Sequence, residues 1–349
     1  MNGPAAGRDA GGFRRSQRLL VTGLAGLIVV AIAALLVGLW AIATYEGSGP
    51  KAQSGQSTDV VLRQGAGLPE IAATLSRARV IGSPSIFIAA AQLTGAARRL
   101  KAGEYDFASR ASMARILADI EAGKVVRHFV TVPEGVTSEA VVGILMRADF
   151  LTGAAPVPAE GSVLPETYEV QRGEDRGAVL QRMLDARDRL LASLWAHRRA
   201  GLPFRSPEEA VALASIVEKE TAKTDERPRI AAVFINRLDK GMRLESDPTT
   251  IYGLTRGAPL GHGLRVSELA SQSPYNTYLV AGLPPTPIAN PGRAALAASL
   301  DPPATDELYF VADGTGGHVF SATLEAHQKN VARWRAIELA RAAPGPRRP

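Results

Sequence analysis

Cysteine is absent from all 349 residues, which excludes a disulfide framework and a thiolate metal site and leaves the redox compartment undetermined. Histidine is scarce as well. His128, His197, His262, His318 and His327 show no HExxH spacing and have no short acidic cluster beside them, so neither a metal nor another cofactor is expected. Aromatic residues make up only 5% of the chain, and the basic surplus, net +6 with a pI near 9.7, is scattered rather than gathered into an aromatic-interleaved stripe. That distribution argues against nucleic acid as a partner. The GTGGH stretch near Gly314 lacks the spacing and the Lys-Ser/Thr pair of a phosphate-binding loop, and reads as a hairpin turn between LYFVAD and HVFSAT.

What is present begins with a long apolar run. Leu19 to Thr44 holds 26 residues without a charge, enough to cross a hydrocarbon core of about 30 Å with some tilt. Arg8, Arg14, Arg15 and Arg18 precede it while Glu46 and Lys51 follow, so the positive-inside rule leaves residues 1–18 in the cytoplasm and sends the rest outward. A cleaved signal peptide is the competing reading, with Ala41 and Ala43 as an A-x-A site. Cleavable apolar cores usually run about 7–15 residues, which favours an uncleaved single-pass anchor over 19–44. GSGPKAQSGQS, Gly47 to Ser57, reads as a flexible spacer inside a linker over 45–58.

The remaining residues exceed one compact domain, so at least two α+β units are expected. In the first, over 59–127, DVVLR alternates as a strand, Gly65 turns the chain, and PEIAATLSRA forms an amphipathic helix. Ser83 then caps a second helix from Pro84 to about Leu93, and GEYDF around Tyr105 returns as a strand. This βααβ order resembles a LysM-like module, the type that recognises N-acetylglucosamine chains; a packing module without sugar affinity is the alternative. VLRQGAGLPEIAATL (Val61 to Leu75) and TVPEGVTSEAVVGIL (Thr131 to Leu145) share strand, turn glycine and capped helix at a separation of 70 residues. The second copy leads into a mixed α+β catalytic region over 128–335, with a charged, solvated helix from Leu180 to Arg199. Residues 336–349 form a basic tail that ends Pro-rich and reads as disordered.

LASIVEKET, Leu213 to Thr221, lies on a helix that starts upstream: Ser206 is a good N-cap, Pro207 fits the first helical position and Glu209 completes a capping box, so the helix should run from there to about Lys223. Ala210, Leu213, Ala214 and Val217 fall on one stripe. Glu218 follows Ala214 by four and Val211 by seven, at the edge of that stripe, with Glu220 on the other edge. A carboxyl held against apolar surface tends to keep its proton, the state a general acid needs; an ordinary boundary residue of a surface helix is the plainer reading. Ser215 and Lys219, four apart, imitate a Ser-Lys dyad, but they project toward the polar face, where a lysine stays charged.

The segments LASIVEKET, FINRLDKGMRLESDPTTIYGL, SPYNTYLVAGLPPTPIANPG and LYFVADGTGGHVFSATLEAHQKNV, in that order, resemble the endolytic murein transglycosylase family of the MltG or YceG-like type, from roughly Asp59 to Arg335. The resemblance implies cleavage of the MurNAc-GlcNAc β-1,4 bond of nascent peptidoglycan strands, leaving 1,6-anhydro-MurNAc ends, with Glu218 as the catalytic residue. It also implies an inner-membrane protein with a periplasmic catalytic domain that limits strand elongation and associates with penicillin-binding synthases. One carboxylate suffices if it protonates the glycosidic oxygen and then deprotonates the C6 hydroxyl of the same sugar, whose attack needs no water. Asp247, in an ESDPTT turn, is the second carboxylate of a hydrolase alternative or a turn-former. Tyr275 and Asn276 carry over as cleft residues for the glycan, followed by Thr249 and Tyr252, and Asp247 is grouped with them. Glu245 and Thr286 depart from the family's usual Gln and Gly. A non-catalytic peptidoglycan-binding scaffold is the alternative from another class.

Overall fold

A computed structural model describes residues 10–342 of the chain, as two compact units, Met1–Arg127 and His128–Pro349. Residues 1–9 and 343–349, with Arg8 and half of the expected disordered tail, lie outside the described residues. Helices and strands are mixed in both units, an α+β build.

In the first unit, helix α1 spans Ala10–Glu46, and its segment Leu24–Glu46 is long and apolar enough to cross a membrane. At about 1.5 Å per residue its 23 residues reach about 35 Å. Large apolar side chains from Leu24 to Ile42 stand exposed all round it, an arrangement that is stable in lipid and unfavourable in water. Strand β1 (Ser57–Leu62), helices α2 (Leu68–Arg77) and α3 (Pro84–Leu93) and strand β2 (Gly103–Ala108) follow, with β1 and β2 antiparallel from Ser57↔Ala108 to Leu62↔Gly103. Ser83 caps α3 through Ile86 N–H, as its sequence indicates. A further helix, α4 (Met113–Ala122), was not anticipated; Ser112 caps it, Gly123 ends it in the left-handed region, and it adds Ile116, Leu117 and Ile120 to a core with Leu75, Phe87 and Tyr105.

The segment expected to be a flexible spacer is held to this unit. Gly49 N–H donates to Arg110 O (3.1 Å), Arg110 N–H to Pro50 O (3.0 Å), Ala52 N–H to Ser109 Oγ (3.0 Å) and Ser109 N–H to Gln56 O (2.7 Å). Tyr45, at the end of α1, packs on the same core. The small residues serve close approach rather than freedom, since a Cβ on Gly49 would lie 2.1 Å from Ala111 O.

The second unit opens with β3 (His128–Thr131), α5 (Ser138–Arg147) and β4 (Thr167–Val170), β3 and β4 pairing antiparallel. Gly135 between β3 and α5 has φ 74° and Gly65 between β1 and α2 has φ 78°, so the two similar segments share their turn conformation. Six helices follow: α6 (Arg176–Ala196), α7 (Pro207–Glu220), α8 (Arg227–Asp239), α9 (Asp247–Thr255), α10 (Val266–Leu269) and α11 (Arg293–Leu300). The hairpin β5 (Tyr309–Ala312) and β6 (His318–Ser321) then leads to α12 (Leu324–Ala342). The hairpin turn is the GTGGH stretch. Helix α6 starts four residues before the expected Leu180 and buries Val179, Leu180, Met183 and Leu191, so it is only half solvated. Residues 336–342, expected within the disordered tail, continue α12.

Helix α7 sits at the centre of the larger core, packed by α6, α8, α9 and α11. Its cap is as expected, Ser206 accepting from Glu209 N–H (3.3 Å), while the Glu209 carboxylate reaches Arg205 N–H rather than that of Ser206. The helix stops at Glu220, three residues early, because Thr221 turns extended and its hydroxyl accepts from Lys223 N–H. The single apolar stripe is also corrected: every residue from Ala210 to Val217 is buried, since neighbours cover the helix on all sides. Ser215 therefore faces the interior, not solvent. Its Oγ donates to Ala212 O (2.7 Å) and accepts from Ile288 N–H (2.9 Å), which fixes the 282–292 loop against α7. Replacing Ser215 by Ala leaves the Ile288 N–H buried without an acceptor and should lower stability by about 1–3 kcal/mol. Equilibrium unfolding of the full chain in detergent measures this; an unchanged midpoint would remove that bond from the account.

Candidate active site

Glu218 is the first residue after the buried run of α7, so its side chain leaves the core at the floor of a pocket of about 390 Å³. Glu134, Gly135, Lys219, Glu220, Thr221, Ala222 and Arg227 line the rest. The Glu218 side chain is only 4% exposed. Its Oε1 accepts from Arg227 Nη2 at 2.6 Å and its Oε2 from Gly292 N–H at 2.9 Å. Burial is the largest influence on this carboxyl and pushes its pKa up; the Gly292 N–H opposes that, Glu134 adds to it, and Arg227 and Lys219 oppose it.

Three segments distant in sequence meet here. The turn after β3 carries Glu134, whose Oε2 accepts from the same Arg227 Nη2 at 3.0 Å. Its neighbour Gly135 donates its N–H to Asn290 O (2.9 Å), and a Cβ at Gly135 would touch Glu218 Cγ at 3.4 Å. Lys219 Nζ donates to Gly135 O (3.3 Å), which occupies it away from the Ser215 hydroxyl. Asn290 is fully buried, and its side chain joins Val163 N–H, Val136 O, Ser138 Oγ and Glu160 Oε1. Gly292 is required by close approach: a Cβ there would fall 1.9 Å from Glu134 Oε1. Among the described residues no three His, Cys, Asp or Glu side chains converge to hold a metal.

The other sequence-expected residues gather next door, where α9 packs on the 273–280 segment, and none of them lines the Glu218 pocket. Asp247 is exposed at the start of α9, its Oδ1 accepting from Tyr278 OH (2.6 Å). Thr249 is fully buried, bonded to Ser246 O and Thr277 Oγ1. Asn276 is fully buried too, donating to Leu269 O and Ser271 O and accepting from Thr250 Oγ1. The rings of Tyr252 and Tyr275 lie 5.0 Å apart; Tyr252 OH donates to Glu160 Oε2, and Tyr275 OH meets Thr286 Oγ1 at 2.8 Å. Thr286 thus sits in its loop without a left-handed backbone, whereas Glu245 adopts one, with φ 51°. Ser246 Oγ links this cluster to α7 by donating to Glu220 Oε1.

A sequence profile of the YceG-like family matches residues 60–333. The chain belongs to the YceG-like family. Relatives similar to it include the endolytic murein transglycosylase of Streptococcus pneumoniae serotype 2, 29% identical over 330 residues that cover 80% of this chain and 59% of that protein. The endolytic murein transglycosylase of Bacillus subtilis is 36% identical over 176 residues, 49% of this chain and 47% of that one. The chain therefore spans less than two thirds of either relative. A crystal structure of a yceG-like protein from Listeria monocytogenes superposes with a TM-score of 0.51 at 28% identity, covering 79% of this chain and 99% of that chain.

In this YceG-like chain, the structure gathers Glu134, Arg227, Asn290 and Gly292, which sequence reasoning did not single out, around Glu218, which it did. Glu134 lies in the TVPEG turn, where the similar earlier segment has Gln64, and that exchange of an amide for a charge was the available signal. Arg227 gave none, being one arginine among many.

Glu220, also in the lining of the pocket, is pushed up to about 7, chiefly by burial, with Ser246 opposing and Asp247 adding. A carboxyl raised on folding contributes no penalty below its unfolded value near 4.5 and destabilises the fold as pH rises through 7. Glu220→Gln should therefore gain thermal stability over the wild type progressively between pH 5 and 8, by about 1 kcal/mol or more at the top. A melting-temperature difference that stays flat over that range would contradict it.

Proposed function

We propose that this YceG-like protein is an endolytic peptidoglycan lytic transglycosylase, cutting the MurNAc-GlcNAc β-1,4 bond to leave 1,6-anhydro-MurNAc ends. The observation that carries the reading is Glu218: buried at a pocket floor, in the ASIVEKE motif, with Arg227 and the Gly292 N–H on its two oxygens. Burial favours its protonated form and suits it to protonate the leaving glycosidic oxygen. Once the proton is gone, Arg227 and Gly292 N–H stabilise the carboxylate, a charge-assisted pair of bonds aimed where negative charge appears. The same carboxylate then removes the C6 hydroxyl proton, the C6 oxygen closes on C1, and Glu218 regains its proton. No water enters, and the nucleophile is already part of the substrate.

The apolar helix Leu24–Glu46 supports a single-pass anchor in the inner membrane, with the catalytic unit in the periplasm. The βααβ order of the first unit supports a LysM-like role in holding glycan, and nascent strands near the bilayer would be the substrate. Penicillin-binding synthases, which make such strands, are the corresponding partners. Asp247, Tyr252 and Tyr275 are assigned to the wider glycan cleft. Thr249 and Asn276, being buried, act by holding that wall.

Glu218→Gln keeps shape and hydrogen bonding but removes the titrating proton, so strand cleavage should fall by roughly 10²–10⁴ with the fold intact. Near wild-type cleavage by that variant would favour a non-catalytic scaffold with a contaminating activity. Wild-type products formed in ¹⁸O-water should carry anhydro ends and no label; labelled reducing ends as the main product would mean a hydrolase.

A further inference from the structure

Arg227 serves two carboxylates with one nitrogen: Nη2 donates to Glu218 Oε1 at 2.6 Å and to Glu134 Oε2 at 3.0 Å. Its side chain is 6% exposed, and its Nε, on the same edge of the guanidinium as Nη2, is buried with no hydrogen-bond partner. One cation between two carboxylates is balanced when one of the two holds a proton. Solvent decides which. Glu134 is 42% exposed and keeps hydration as an anion, whereas Glu218 is 4% exposed and does not. Of the other charged groups around Glu218, Lys219 also favours its carboxylate, as the smallest of the influences on it, and the rest are engaged elsewhere. Lys219, on its own helix, points to Gly135 O; Glu220 is bonded to Ser246; Arg293, at the start of α11, pairs with Glu166.

We propose that Glu134 is a positioning residue for the reaction: it competes with Glu218 for Arg227 and, by its fixed negative charge, keeps the catalytic carboxyl in its acid form until substrate takes the proton. The inference rests on the transglycosylase reading above. When Glu218 is an acid, Arg227 is held by Glu134, and the free Nε N–H gives that carboxylate a second tooth for a bidentate grip. When Glu218 has delivered its proton, Nη2 is already within reach of the new carboxylate, so no charge has to move far. The turn that carries Glu134 is pinned at both sides of Asn290, through Gly135 N–H to Asn290 O and Asn290 N–H to Val136 O, which fixes where that charge sits.

The test compares the pH profile of kcat/KM on purified glycan strands for the full-length wild type, Glu134→Gln and Glu134→Asp. The alkaline limb reports loss of the Glu218 proton. In Glu134→Gln the limb should move to lower pH by about one unit, the scale of a neighbouring-charge effect, with the loss of activity largest above it. Glu134→Asp should return the limb most of the way. A limb that stays in place, or an equal fold-loss at every pH, overturns the proposal, the second outcome making Glu134 catalytic in its own right. Titration of the side-chain carboxyls by ¹³C NMR, with Glu218→Gln to assign the signal, reads the same displacement without substrate. It thus separates failure of this inference from failure of the transglycosylase reading, in which the wild type itself makes no anhydro ends.

Discussion

Asn290 uses its amide wholly inside the protein, and the site depends on that. Its Oδ1 takes the Val163 N–H, and its Nδ2 reaches Val136 O, Ser138 Oγ and Glu160 Oε1, while its backbone bonds the turn that carries Glu134 and Gly135. The stretches around Val136 and Val163, each more than a hundred residues before Asn290, are thereby held to it at one point. A buried amide whose partners are all backbone or other buried polar groups gives geometry rather than net energy, because each bond replaces one with water. The geometry it gives is the approach of Glu134 and Gly292 to Glu218.

Around Glu218 two opposing requirements are met by different atoms. Burial among the last turn of α7 favours the neutral acid, and Arg227 with the Gly292 N–H favours the anion. An acid that only resisted ionisation would be too weak to give its proton away, and one that only welcomed charge would have lost it before substrate arrived. Helix α7 supplies the first condition; the start of α8, through Arg227, and the loop before α11, through Gly292, supply the second. This division places Glu218 at the end of a fully buried helical run, where apolar neighbours and polar donors meet.

What was legible in the sequence is what local physics determines. The cap at Ser206, the helix behind it, the turn glycines 65 and 135, the hairpin before His318 and the apolar N-terminal helix all follow from patterns a few residues long. The motif segments marked Glu218. What was not legible came from tertiary contacts. Periodicity predicted one apolar stripe on α7, but neighbours bury it all round, so Ser215 turned out to be a core hydroxyl and not a surface one. Arg227 and Glu134 meet across 93 residues, and no spacing rule links them. Thr249 and Asn276 were carried over from the family resemblance as cleft residues, yet both side chains are fully buried and close internal hydrogen-bond networks. Helix α4 was overlooked although Ser112, the amphipathic MARILADIEA and Gly123 spell out its start, face and end.

The short path from α1 into the first unit has a mechanical meaning. With Tyr45 in the core and Gly49 to Gln56 bonded along Ser109 and Arg110, the chain has no slack between the bilayer and the folded unit. A membrane span tilts to match the thickness of the lipid around it. Where a loose tether would absorb that tilt, this connection passes it on as rotation of the whole first unit. A helix of this length and composition, if it spans a bilayer, would turn the first unit with every change of its own tilt.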